Sequence, residues 1–387
     1  MSGGVTTPAG FRASGVTAGI KASGRPDLAL VVNDGPEQTA AAVFTRNKVK
    51  AAPVLWSQQV MTTGTLKAVV LNSGGANACT GPEGFRTAHA TAEKAAEVLQ
   101  CGAIDVAVCS TGLIGAQLPR DTVLAGVEKA AAALDTTLEA GLAAATAIMT
   151  TDTVAKQAVA TGEGWSVGGL TKGAGMIAPS MATMLAVLTT DAVVDDATLD
   201  RALRAAVRVS FDRLDVDGSM STNDTVIVLA SGASGVTPSE QELTAAMSQV
   251  AKDLARQMQA DAEGVTKRIA VRVTGAASED DAVVIARTVA RDSLVKTALF
   301  GSDPNWGRVA AAAGYADADL DPEKLDVTIN GVTLCRGGVA AEDRALADLS
   351  GEDVLVEVSL GLGSGEAEIL TTDLSHAYVE ENSAYSS

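Results

Sequence analysis

Short runs of consecutive apolar residues, each closed by a turn-forming residue, recur along this chain: LALVVN at Leu28–Asn33, AVVLN at Ala68–Asn72 and IDVAVC at Ile104–Cys109. Such runs predict buried strands. Between them lie segments rich in alanine, leucine and glutamate whose apolar residues recur every three or four positions, at Arg86–Leu99 and Asp121–Ile148, and these predict helices. Ser239 followed by Glu242 forms a capping-box pattern opening a helix that reaches about Asp261. Further helices are predicted at Ala197–Phe211 and Glu279–Val289. Strands are predicted at Met184–Thr190, Thr225–Ala230, Arg268–Val273, Val327–Asn330, Val354–Leu360 and Ala367–Thr371. The mixture predicts a layered α/β or α+β fold, helices covering sheets. No internal repeat and no long linker marks a domain boundary.

Composition narrows the function. With 47% hydrophobic and 20% charged residues in 387, the chain reads as globular. Aromatics make up only 3%, so alanine, valine and leucine must fill the core. A net charge of -18 repels nucleic-acid phosphates and anionic lipid, so neither nucleic acid nor membrane is expected as a partner. No leader pattern or membrane-length apolar stretch is present, which predicts a cytoplasmic protein. Cys79, Cys101, Cys109 and Cys335 lack metal-ligand spacing and are expected as reduced, mostly buried thiols.

The chemistry is defined partly by what is missing. There is no phosphate-binding glycine loop, no H-E-x-x-H and no G-x-S-x-G. The two histidines, His89 and His376, supply no triad and no multi-histidine metal site and are expected to be structural. Asp215, Asp217 and Gly218 weakly resemble a calcium loop, but its closing glutamate is missing. Without a usable histidine, a hydroxyl can be activated by an amine. A free α-amino group titrates at about 7.7–8.0, far closer to neutrality than a lysine. Thr183 lies in KGAGMIAPSMATMLAVLTTDA, after a glycine- and proline-containing segment and before an apolar run. If the Ala182–Thr183 peptide bond were cut, Thr183 would carry both a nucleophilic oxygen and its own base. Taken alone, a threonine opening a strand is ordinarily just a strand former.

The stretch KGAGMIAPSMATML resembles the self-cleaving site of the glutamate N-acetyltransferase / ornithine acetyltransferase family of arginine biosynthesis. LNSGGANACTG, CSTGLIG, MTTDT, STNDT, GSDPNWGR and the terminal ENSAYSS resemble family blocks in family order, together covering essentially the whole chain. The resemblance implies cleavage between Ala182 and Thr183 into an α chain, 1–182, and a β chain, 183–387, both contributing to one fold. That fold would be shared with self-processing aminopeptidases, layered α/β with a smaller C-terminal lobe. It implies Thr183 as nucleophile, and Thr111 and Gly112 as the pair stabilising the oxyanion. Thr150, Lys172, Glu263, Asn382 and Ser387, with Thr183, are implied as substrate-binding residues. Taken alone, Lys172 would be an exposed lysine, STG a turn, Glu263 a solvated helix-end carboxylate and Ser387 a frayed end.

The implied reaction moves acetyl from N2-acetyl-L-ornithine to L-glutamate by double displacement. No metal or organic cofactor is implied, with acetyl-CoA a further donor in the bifunctional form. The implied assembly is a dimer of αβ heterodimers. Ser219 and Arg213 depart from the family pattern, which more often has an acidic residue and an asparagine there, and bear on specificity. Two other functions stand beside this one: a self-processing aminopeptidase on the same scaffold, in which water resolves the acyl-threonine, and a non-enzymatic acidic scaffold protein.

Overall fold

A computed structural model describes residues 3–178 and 184–384. They fall into two units, one built from the chain up to residue 212 together with 219–261, the other from 213–218 together with the chain from 262 onward. The first unit begins with β1 (Phe11–Val16), β2 (Leu28–Asn33), β3 (Thr39–Phe44), α1 (Ala52–Val60), β4 (Ala68–Ser73) and α2 (Gly81–Leu99). It continues through β5 (Val106–Thr111), α3 (Arg120–Ala132), α4 (Leu138–Ala147), β6 (Lys156–Thr161), β7 (Ser166–Lys172) and β8 (Leu185–Thr190). Helix α5 (Asp196–Arg208), β9 (Thr225–Ala230) and α6 (Glu240–Ala260) complete it.

Two sheets result, with strand orders β1-β2-β4-β5 and β3-β9-β8-β7-β6. Strands β2, β4, β5, β8 and β9 are buried at every position, which is why their sequences are apolar without alternation. One core joins the sheets: Leu28, Leu30 and Val69 from the first pack in the same cluster as Leu170, Leu185 and Ile227 from the second. Each such side chain contributes about 1.5–3 kcal/mol by leaving water. Helices α5 and α6 cover the outer side of the second sheet, while α4 touches strands of both sheets. Its sequence, LEAGLAAATA, suits that place because small side chains let backbones close in. A Cβ on Gly15 of β1 would stand 1.9 Å from the carbonyl oxygen of Ala143.

The expected helix over Asp121–Ile148 is two helices. The backbone of Asp135 pairs with Ala13 of β1 at 2.9 and 3.0 Å, pulling the chain out of helical geometry, and Thr137 then caps α4 by accepting from the Ala140 amide. The capping box at Ser239 forms as expected, with the Ser239 amide donating to Glu242 at 2.9 Å and the Glu242 amide returning to Ser239 at 3.2 Å. Cys109 and Cys335 are buried, but Cys101 is half-buried and Cys79 exposed, so the expected burial of the thiols holds for only two.

The second unit contains β10 (Arg268–Ala276), α7 (Glu279–Arg291), α8 (Ser293–Phe300), α9 (Trp306–Gly314), β11 (Asp326–Ile329) and β12 (Val332–Arg336). Strands β13 (Val339–Ala340), β14 (Asp353–Ser359) and β15 (Gly365–Thr372) and helix α10 (His376–Ala384) follow, and the six-stranded sheet has order β13-β12-β11-β14-β10-β15. Here the strands alternate. Ile269, Val271 and Val273 of β10 face the core, while Arg268 and Arg272 face outward onto Asp353 and Glu368. The architecture is the expected layered α/β with a smaller C-terminal unit, the two units dividing at 212 and 262.

Candidate functional site

Strand register sets out the first part of the site. Lys172 pairs with Leu185, and Leu185 with Thr225, so the end of β7, the entry to β8 and the entry to β9 lie abreast. Lys172 is buried, 1% exposed, and is not the surface lysine its residue type suggests. Its Nζ donates to the hydroxyl of Thr111, also buried, at 3.4 Å, joining the end of β7 to the end of β5 in the other sheet. An ammonium has only hydrogens to offer, so the Thr111 oxygen accepts and the threonine's own hydrogen is left to donate elsewhere. Thr111 therefore ends a strand and does not lie in a turn. Gly112 follows at φ +128°, and a Cβ there would stand 2.6 Å from the Gly75 nitrogen, so the backbone turn after Thr111 requires glycine.

Two residues that sequence reasoning did not single out hold this arrangement. Asn223, in STNDT, donates from Nδ2 to the carbonyls of Ala76 at 2.6 Å and Ser110 at 2.8 Å, tying the entry of β9 to the loop and strand that carry Gly112. Asp152, in MTTDT, is buried and accepts from the Gly173 amide at 2.7 Å, the Lys156 ammonium at 2.7 Å and the Thr150 amide at 3.0 Å. It thus fixes Thr150 and the backbone just after Lys172 to one carboxylate. Lys21 adds a third ammonium, donating to the carbonyl of Met149 at 2.6 Å; burial depresses its pKa, and Lys172 contributes to the depression. Residue types common in turns hid Asn223 and Asp152; their place inside quoted motif blocks was the available signal.

Burial pushes the Asp152 carboxyl up, but Lys172, Lys156 and the amide bonds outweigh it and hold the group at about 2. A carboxylate depressed in the folded state stabilises the fold above the unfolded value near 4, and the gain is lost as pH falls toward 2. The shift corresponds to about 2 kcal/mol. Urea unfolding from pH 5 down to pH 2 is expected to show the wild type losing about 2 kcal/mol more than Asp152→Asn across that window. Parallel losses in the two proteins would refute the assignment.

In the second unit Glu263 and Asn382 meet: Asn382 Nδ2 donates to Glu263 Oε2 at 3.0 Å and to the Tyr378 carbonyl at 3.0 Å. Helix α10 is seated through Ser375, whose hydroxyl donates to the Gly264 carbonyl at 2.5 Å. The structure thus brings Thr111, Gly112, Thr150 and Lys172 together in one unit and Glu263 with Asn382 in the other. Ala182, Thr183 and Ser387 lie outside the described residues. Asp215 pairs with Arg291 at 2.5 Å and accepts from the Gly218 amide at 3.1 Å, as a turn does, and no metal-holding cluster occurs among the described residues. His89 packs on Trp56 with ring centres 4.8 Å apart, and His376 meets the ring of Phe300 edge-on, the structural roles expected. Among the described residues no helix is long and apolar enough to cross a membrane.

The chain is similar to known proteins over nearly its whole length. The model of the ArgJ family matches residues 12–387. A protein of Mycolicibacterium paratuberculosis named "Arginine biosynthesis bifunctional protein ArgJ" is 64% identical, the match covering 99% of this chain and 96% of that protein. A protein of the same name from Streptomyces coelicolor is 58% identical over 99% of this chain and all of its own length. Among solved structures, ornithine acetyltransferase complexed with ornithine, from Mycobacterium tuberculosis, is 63% identical with a TM-score of 0.46, covering 46% of this chain and 96% of that chain.

Proposed function

This chain belongs to the ArgJ family, and from that premise we propose that it moves the acetyl group of N2-acetyl-L-ornithine to L-glutamate, in the cytoplasm, after cutting itself between Ala182 and Thr183. Membership makes it an acetyltransferase of arginine biosynthesis. The observation that supports the finer mechanism best is the buried Lys172–Thr111 contact, with Lys172 paired to Leu185, two residues after Thr183 in sequence. In this mechanism the Thr183 hydroxyl attacks the acetyl carbonyl and its α-amine takes the proton. The Thr111 hydroxyl and the Gly112 amide meet the developing oxyanion, where fixed donors act most strongly. Lys172 and Thr150 take the substrate's α-carboxylate, and Glu263, with Asn382 and Ser387, takes the ornithine δ-ammonium. Ornithine leaves, and glutamate's amine then takes the acetyl from the Thr183 ester. A threonine oxygen exchanging acetyl between two amines calls for no metal or organic cofactor; acetyl-CoA serves as a second donor. The cleaved chains assemble as a dimer of αβ heterodimers.

The intermediate is the test. Mixing the protein with N2-acetylornithine and no glutamate is expected to leave the 183–387 chain heavier by one acetyl group at Thr183, read by mass spectrometry after an ester-preserving quench. Absence of that adduct while transfer proceeds would replace double displacement with direct transfer. Release of acetate with no transfer to glutamate would point to hydrolysis. Deleting Ala384–Ser387 is expected to leave self-cleavage intact and to reduce acetylation at the same substrate level; full acetylation would remove the tail from the site.

A further inference from the structure

Lys21, in the loop between β1 and β2, is a cation that the protein holds without neutralising. Its Nζ donates to the Met149 carbonyl at 2.6 Å and the Pro26 carbonyl at 3.0 Å, two uncharged acceptors, which leaves the third hydrogen of the ammonium unused. Among the described residues no carboxylate comes within ion-pairing distance of it. The carboxylates in its surroundings are engaged elsewhere. Asp27 accepts from the amides of Ala18 at 2.6 Å, Gly19 at 3.1 Å, Ile20 at 2.6 Å and Lys21 itself at 2.9 Å. Asp152 holds the Lys156 ammonium, which it shares with Asp261. Burial first, then Lys172 and Arg25, disfavour the charge on Lys21 against the pull of Asp27 and Asp152. An anion arriving beside Lys21 and Lys172 would relieve both the burial and the repulsion.

The ammonium is also fixed in place. The four amides around Asp27 set the backbone at Lys21, and Gly74 backs onto the stem: a Cβ on Gly74 would stand 3.0 Å from Lys21 Cγ. The Met149 carbonyl belongs to the same peptide unit as the Thr150 nitrogen, whose hydrogen goes to Asp152 at 3.0 Å. Lys21 and Asp152 therefore grip one peptide at its two ends, and Thr150 is carried between them. We propose that Lys21 binds the substrate's α-carboxylate together with Lys172 and Thr150, lending it the third hydrogen of its ammonium. The inference rests on the acetyl-transfer reading above and adds a residue to it. N2-acetylornithine and glutamate both carry an α-carboxylate, so one clamp serves both half-reactions. The side-chain groups that differ, an ammonium and a second carboxylate, are left to other residues.

The test compares N2-acetyl-L-ornithine with its α-carboxamide, which keeps the shape and removes the charge. The wild type is expected to prefer the acid strongly in kcat/KM; equal use of the two overturns the carboxylate site, Lys172 and Thr150 included. Lys21→Met keeps the stem against Gly74 and removes the ammonium. It is expected to raise KM for N2-acetylornithine and for glutamate about tenfold each, with kcat little changed, and to shrink the preference for acid over amide by about the same factor. A purely structural role would slow acid and amide alike and leave that preference where it stands in the wild type, which overturns the proposal. A KM rise confined to glutamate overturns the α-carboxylate assignment, since it places Lys21 at the second carboxylate. Should Lys21→Met not fold, Lys21→Gln, which can still donate to the Met149 carbonyl, carries the same expectations. A variant that folds without turning over is read by calorimetry with the same acid and amide as ligands. Lys21→Arg, which keeps the charge, is expected to restore most of the preference. A wild type that transfers no acetyl from N2-acetylornithine overturns the transfer reaction and this inference with it. A wild type that transfers, beside variants with an unmoved preference, overturns the role of Lys21 alone.

Discussion

Thr183→Ala is expected to remain a single chain of 39.0 kDa and to transfer no acetyl. The wild type is expected to separate on a denaturing gel into pieces of about 18 and 21 kDa, in proportion to the residues on either side of the cut. Both losses follow from one atom. The hydroxyl is the attacking group in cleavage and again in acyl transfer, and alanine has nothing to replace it. The amine that would serve as base is also never released, and no histidine is placed among the described site residues to stand in. Thr183→Ser, which keeps an oxygen at the same place, is expected to recover part of both activities. A Thr183→Ala protein that still divides at that bond would sink the mechanism.

The second large effect is expected at Thr111. Its hydroxyl is buried and accepts from Lys172 at 3.4 Å; in the proposed mechanism its hydrogen meets the oxyanion. Removing one preorganised donor of this kind lowers turnover by about a hundredfold, with KM little changed, since the charge it meets exists only in the transition state. Thr111→Ala is expected to follow that pattern with cleavage and thermal stability near wild type, and Thr111→Ser to recover most of the rate. An unchanged kcat in the alanine variant would take Thr111 out of the oxyanion site.

Much of the first unit could be read from sequence because its strands are buried on both sides. LALVVN, AVVLN and TVIVLA are apolar for their whole length, and no other surface could accept them. Strand β7, SVGGLTK, escaped detection since its two glycines give no hydrophobic signal, although every position is buried. The break before α4 depends on a backbone pairing between Asp135 and Ala13, residues far apart in the chain that no local pattern connects. The resemblance named Thr111, Gly112, Thr150 and Lys172, and the structure gathers them. Asp152 and Asn223 were present in the same blocks, but aspartate and asparagine beside threonine ordinarily mean a turn. Their importance comes from burial and from partners brought in by strand register.

The five-stranded sheet has one more consequence. Strands β3, β6 and β7 precede residue 183 and β8 and β9 follow it, and the sheet order β3-β9-β8-β7-β6 places the two sets side by side in alternating blocks. A cut at residue 183 therefore leaves halves that share hydrogen bonds along β3–β9 and β7–β8 and stay associated without any covalent link. Folding before the cut is an event within one molecule; refolding after it is an encounter between two, so recovery from denaturant becomes dependent on protein concentration. The proposed cut would turn a fold the chain can find alone into one that remembers having been a single chain.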